Sequence, residues 1–158
     1  MTGAEERGIV QRLVAAADAV LGGAHEALAL IGAFPETEAA LAALDPVQRT
    51  AARAMLKAVE QTQDVEARLF RAYLLAEAID VTSLTARDIG NLMVKLGALE
   101  SAEAWSDLAR LRNRLAYEYP VAVAAQLERI TAAAKAVPIL HDILTRMNAF
   151  LADKGYLP

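Results

Sequence analysis

The segment Arg112-Asn113-Arg114-Leu115-Ala116-Tyr117-Glu118-Tyr119-Pro120 concentrates the side chains of this chain best suited to chemistry. A guanidinium stays protonated at physiological pH, and its planar fork matches the oxygens of a phosphate two at a time, which suits Arg112 to holding an anion. Asn113 adds a donor and an acceptor beside it, and Arg110 and Arg114 can widen the positive patch. Tyr117 and Tyr119 carry phenols, which ionise near a pKa of about 10 and are therefore poor general bases at neutral pH. The same residues also admit a structural reading. Cations in the last turn of a helix complement its macrodipole, and tyrosines pack readily beside a corner.

Other chemical candidates are weaker. His25 and His141 are the two histidines, each next to an apolar helical stripe, where a partly buried structural role is expected. No histidine pair has metal-ligand spacing, so no metal site and no cofactor is expected. Glu60, Asp64 and Glu66 fall on a long helical stretch and read as a solvated face. Trp105, alone among leucines, reads as packing in the core or at an interface between copies. There is no cysteine, which excludes disulfides, thiolate zinc sites and a cysteine nucleophile.

The elements that must position the segment are helical. Hydrophobic residues make up 56% of the chain, many of them alanine, with few glycines, prolines or aromatics, a balance that favours helix over strand. Spacing by threes and fours predicts a first helix from near Glu5 to Ile31, with Gly22-Gly23 as a weak point. A short helix is expected over 36–44. A long one should follow Asp45-Pro46, an N-cap with proline at the first helical position, and run to about Ile79. Thr85-Ala86-Arg87-Asp88 resembles a capping arrangement for a helix to about Leu96, with Gly97 as its C-cap.

A further helix is expected from Ser101 or Ala102 to about Glu118, where Pro120 disfavours helical geometry and makes a corner. The last helix should run from Val121 to about Leu151 with Val123, Leu127, Ile130 and Leu140 inward and a kink at Pro138, leaving Gly155-Tyr156-Leu157-Pro158 as a tail. The expectation is one all-α domain over 1–158, an antiparallel bundle of five or six helices.

The nine-residue segment resembles the signature of the HEPN family, in which an arginine, a polar residue, three further positions and a histidine form an arginine-x4-histidine motif. Tyr117 stands where that histidine belongs. Within the family the string looks most like the HepT-type toxins, whose motif continues past the histidine as x-tyrosine, here Glu118-Tyr119. The resemblance implies a homodimer in which two motifs face each other and form a cleft for metal-independent RNA cleavage. It implies Arg112, Asn113 and the Tyr117 position as the catalytic set, with Arg110 and Arg114 binding RNA. It further implies a toxin–antitoxin system in which a nucleotidyltransferase antitoxin adds AMP to Tyr119. With a phenol in place of the imidazole, an attenuated or inactive ribonuclease is expected. The alternative is a non-catalytic helical module that binds a nucleotide, RNA or a partner protein at the same corner.

The net charge of −4 argues against a broad electrostatic grip on nucleic acid and leaves room only for a local basic cleft. The first residues, Met1-Thr2-Gly3-Ala4-Glu5-Glu6-Arg7, carry acids, unlike the basic start of a signal peptide, and no charge-free stretch reads as a membrane span. A cytoplasmic protein without membrane association is expected.

Overall fold

The computed structural model describes residues 3–158, so Met1 and Thr2, which contribute to the reading of the N-terminus, lie outside the described residues. Among the described residues six helices follow one another: α1 (Gly3–Ile31), α2 (Glu38–Ala42), α3 (Pro46–Ala76), α4 (Ala86–Lys95), α5 (Ala102–Tyr117) and α6 (Val123–Asp153). The all-helical bundle expected from composition and spacing is what forms.

The pairing of α1 with α3 is the most extensive in the bundle. Val10, Val14, Ala17, Leu21, Ala24, Ala27 and Ile31 project from one stripe of α1, and the alanines among them let the two backbones approach closely. The Gln48 side chain donates to the Ile31 carbonyl at 3.0 Å, fixing the end of α1 to the start of α3. Gly22 and Gly23 do not interrupt α1. By length and composition α1 is apolar enough to cross a bilayer, but here its apolar stripe is buried within the bundle.

Local chemistry sets most helix ends. Asp45 accepts from the Gln48 amide at 2.8 Å while the Gln48 side chain accepts from the Asp45 amide at 3.0 Å, a reciprocal capping box ahead of Pro46. Thr85 and Asp88 make the same arrangement for α4. Gly97 and Gly155, with φ of 86° and 77°, close α4 and α6 through Schellman motifs. The same motif ends α3, where the Ala78 amide reaches Leu75 O and the Ile79 amide reaches Leu74 O. There a β-carbon occupies the left-handed position, at φ 60°. The expected continuation of α3 to Ile79 fails because this turn stops it at Ala76.

Trp105 lies in the core, its ring 4.7 Å from that of Phe70 and against Gly90, where a β-carbon would stand 3.1 Å from the indole. Pro138 sits on the exposed side of α6, which stays helical through it. The C-terminal residues dock against the bundle. The Tyr156 ring packs 5.4 Å from Tyr73, its hydroxyl donates to Glu77 at 2.7 Å, and its carbonyl accepts from Gln11 at 2.9 Å.

Candidate functional site

Arg112 and Tyr117 both lie within α5, so the helix breaks one residue beyond Tyr117 and not between them. Five residues of uninterrupted helix set two Cα–Cβ directions about 140° apart, and only long side chains can bring such positions together. The Glu118 amide still bonds to the Arg114 carbonyl at 2.9 Å, after which extended backbone leads to Pro120 and α6. Two side chains of α6 fasten this corner. Gln126 donates to the carbonyls of Pro120 and Val121, both at 3.1 Å, and Arg129 donates to the Leu115 carbonyl at 2.8 Å.

Arg112 is clamped from α3. Its Nε donates to Asp64 Oδ1 at 2.7 Å and its Nη2 to Asp64 Oδ2 at 3.0 Å, a bidentate pair in which the guanidinium side chain is 26% exposed. Its Nη1 donates to Asn113 Oδ1 at 3.2 Å. These bonds occupy three of the five guanidinium N–H groups, and the Tyr117 side chain interacts with the guanidinium as well. Hydrogen bonding to Asp64 raises the Arg112 pKa above its already high ordinary value, with a smaller contribution from Tyr117. The arrangement holds a permanent cation in one orientation beside a phenol that is 75% exposed.

The other residues of the segment divide into two groups. Arg110 pairs with Asp107 one turn earlier on α5, and Arg114 lies 3.5 Å from Glu118 and 3.4 Å from Glu128, so carboxylates accompany both. Tyr119, 81% exposed, belongs to a neighbouring cleft of about 410 Å³ between α2, α3 and the start of α6. The structure therefore brings Arg112, Asn113 and Tyr117 together with Asp64 and sets Tyr119 to the side of them.

Asp64 was not legible as part of the site, because it lies 48 residues from Arg112 in a run that reads as a solvated face. In that run Glu66 departs furthest from expectation. It is fully buried, neither carboxyl oxygen has a hydrogen-bond partner, and burial pushes its pKa well above the ordinary carboxylate range. A signal existed, since Glu66 stands four residues from both Thr62 and Phe70 on the apolar stripe of α3.

His25 and His141 are both exposed, with ring centroids 5.4 Å apart across α1 and α6, in place of the partly buried setting expected of them. Among the described residues no group of three or more histidine, cysteine, aspartate or glutamate side chains is placed to hold a metal ion. No family model, curated protein or solved structure matches this chain.

Proposed function

We propose that the corner between α5 and α6 is the site of a HepT-like HEPN ribonuclease toxin whose cleavage is attenuated because Tyr117 occupies the histidine position. The observation that carries this reading is the orientation of Arg112, held by Asp64 in the last turns of α5 beside the exposed Tyr117 side chain. Metal-independent cleavage of RNA begins when a 2′-hydroxyl attacks the adjacent phosphorus. It ends when the P–O5′ bond breaks, giving a 2′,3′-cyclic phosphate and a protonated 5′-hydroxyl. The reaction needs a base for the first proton, an acid for the leaving oxygen, and a fixed cation for the charge that develops on phosphorus oxygens. Arg112 supplies the cation, and Asn113 orients it. At position 117 a phenol stands where the family's imidazole would serve as the base, and it leaves that role poorly filled.

The proposal includes a homodimer with the two corners facing each other. Tyr117 and Val121 are exposed apolar side chains on this edge, the kind of surface that a second copy covers. It also includes a nucleotidyltransferase antitoxin that adds AMP to Tyr119, whose hydroxyl is accessible. An adduct there adds bulk and negative charge beside the place where RNA phosphate would bind.

One observation favours a second reading, a non-catalytic module that binds a nucleotide, RNA or protein. Asp64 takes the Nε–Nη2 edge of Arg112, one of the edges through which a guanidinium grips phosphate bidentately. Tyr117→His separates the two. Restored cleavage that disappears again with Arg112→Ala supports the ribonuclease, and continued inactivity in an intact dimer supports the binding module.

A further inference from the structure

The cleft beside Tyr119 has a charge pattern that the chain as a whole lacks. The net charge is −4, yet this cleft is lined by Arg49, Arg53 and Arg129 and by no carboxylate. Its floor is aliphatic, formed by Leu44, Leu56 and Ile130. At its rim stand the Tyr119 ring and Pro120.

The three arginines are unequally engaged. Arg49 donates through one nitrogen to the Leu44 carbonyl, and Arg129 donates through Nη2 to Leu115 while its buried Nε has no partner. Arg53 is exposed, and among the described residues it makes no salt bridge. The start of α6 reaches the same cleft through Val123, and that helix has neither a side-chain cap nor an acidic residue in its first turn. Its N-terminal partial positive charge adds to that of the arginines.

We infer that this cleft binds a nucleoside monophosphate group, its flat base on the aliphatic floor against Tyr119 and its phosphate at Arg53 and Arg129. Planar guanidiniums both stack on bases and donate to phosphate oxygens two at a time, and a volume of about 410 Å³ is ample for one nucleotide. Inorganic anions would leave the apolar floor uncovered. The group comes either from a free nucleotide or from one unpaired nucleotide of an RNA strand. The second source rests on the ribonuclease reading of the adjacent corner. Arg53, Leu56, Glu60 and Asp64 lie on one face of α3, so cleft and Arg112 are joined along about 16 Å of helix at a rise of about 1.5 Å per residue.

The test is a titration of the full chain with AMP, UMP, inorganic phosphate and a short unpaired RNA oligomer, followed by amide NMR shifts. Saturable shifts at Arg53, Tyr119, Val123 and Ile130 are expected with the nucleotides and much weaker ones with phosphate. Arg53→Glu should weaken AMP binding by about tenfold or more, as loss of a charge-assisted bond implies, while Arg87→Glu on α4 should change it less than about twofold. No shifts in the cleft at millimolar AMP, phosphate binding as tightly as AMP, or unchanged affinity in Arg53→Glu would overturn the inference. Competition between the oligomer and AMP assigns the site to RNA, and its absence with AMP still bound assigns it to free nucleotide. Because Arg53 is remote from Arg112, AMP binding without any cleavage by Tyr117→His sinks the ribonuclease reading and leaves the cleft standing. Cleavage without AMP binding does the reverse.

Discussion

Asp64 on α3 and Arg112 on α5 form a two-point pair, at 2.7 and 3.0 Å, that fixes the direction of the Arg112 guanidinium beside Tyr117. The pair is partly exposed, so its value to folding is small, and its value to positioning is the larger matter. Asp64→Asn should therefore cost less than about 1 kcal/mol of stability in urea unfolding. In a Tyr117→His background it should lower RNA cleavage by about tenfold, the effect of losing about 1.4 kcal/mol of transition-state positioning. Full cleavage in the double variant would show that Arg112 needs no clamp.

Tyr117→His tests the central substitution. A positioned acid or base contributes about 10²–10⁴-fold, and the histidine variant should cleave RNA faster than the parent chain by that margin in a purified side-by-side assay. Equal rates would mean that the phenol is not what limits this site.

Tyr119, exposed at the cleft rim, is the expected acceptor of an AMP group from a nucleotidyltransferase and ATP. Intact mass should rise by one AMP in the parent chain and stay unchanged in Tyr119→Phe. Modification that persists in Tyr119→Phe would place the acceptor elsewhere.

Glu66 gives the fold a pH dependence of known sign. Its folded-state pKa is raised by burial, while an unfolded carboxyl titrates near pKa about 4.3. Above that value the unfolded chain releases a proton that the folded chain retains. Glu66 therefore lowers stability as pH rises, until pH passes its folded pKa. Glu66→Met, which removes the unpaired carboxyl and keeps a side chain of similar length, should stabilise by about 1–3 kcal/mol at pH 8 and flatten the profile from pH 5 upward. Urea unfolding at several pH values reads both effects, and a destabilised Glu66→Met would point to a partner for the carboxyl.

Ala78 holds the left-handed position of the turn that ends α3, where Gly97 and Gly155 serve α4 and α6. Ala78→Gly should remove the β-carbon penalty and raise stability by about 1 kcal/mol, less the entropy that glycine adds to the unfolded chain. A lower melting temperature would contradict this account of the turn.

These residues also mark what could be read from the chain beforehand. Asp45-Pro46, Thr85 with Asp88, and Gly97 announce helix ends because capping is a local interaction within a few residues. Ala78 announces nothing, since alanine is the residue that would most readily continue a helix. The burial of Glu66 was half legible from its spacing, and its missing partner was not. Val123 was expected inward but is 43% exposed, because α6 begins there at the bundle's edge. The Asp64–Arg112 pair and the arginine-lined cleft arise from distant segments, which periodicity along one helix cannot report.

The grip of Arg129 on the Leu115 carbonyl sets an order of events. Pairing α1 with α3 closes only the short connection from Gly32 to Asp45, at a small loop-closure cost, and this hairpin can form while later residues are still being synthesised. Asp64 is then in place before Arg112 exists. The corner gains its final geometry only when the stretch of α6 bearing Gln126 and Arg129 has emerged from the ribosome and docked. A growing chain thus passes through most of its translation with its α1–α3 scaffold able to form and the corner after α5 unformed, and that corner is the last part of the bundle to be completed.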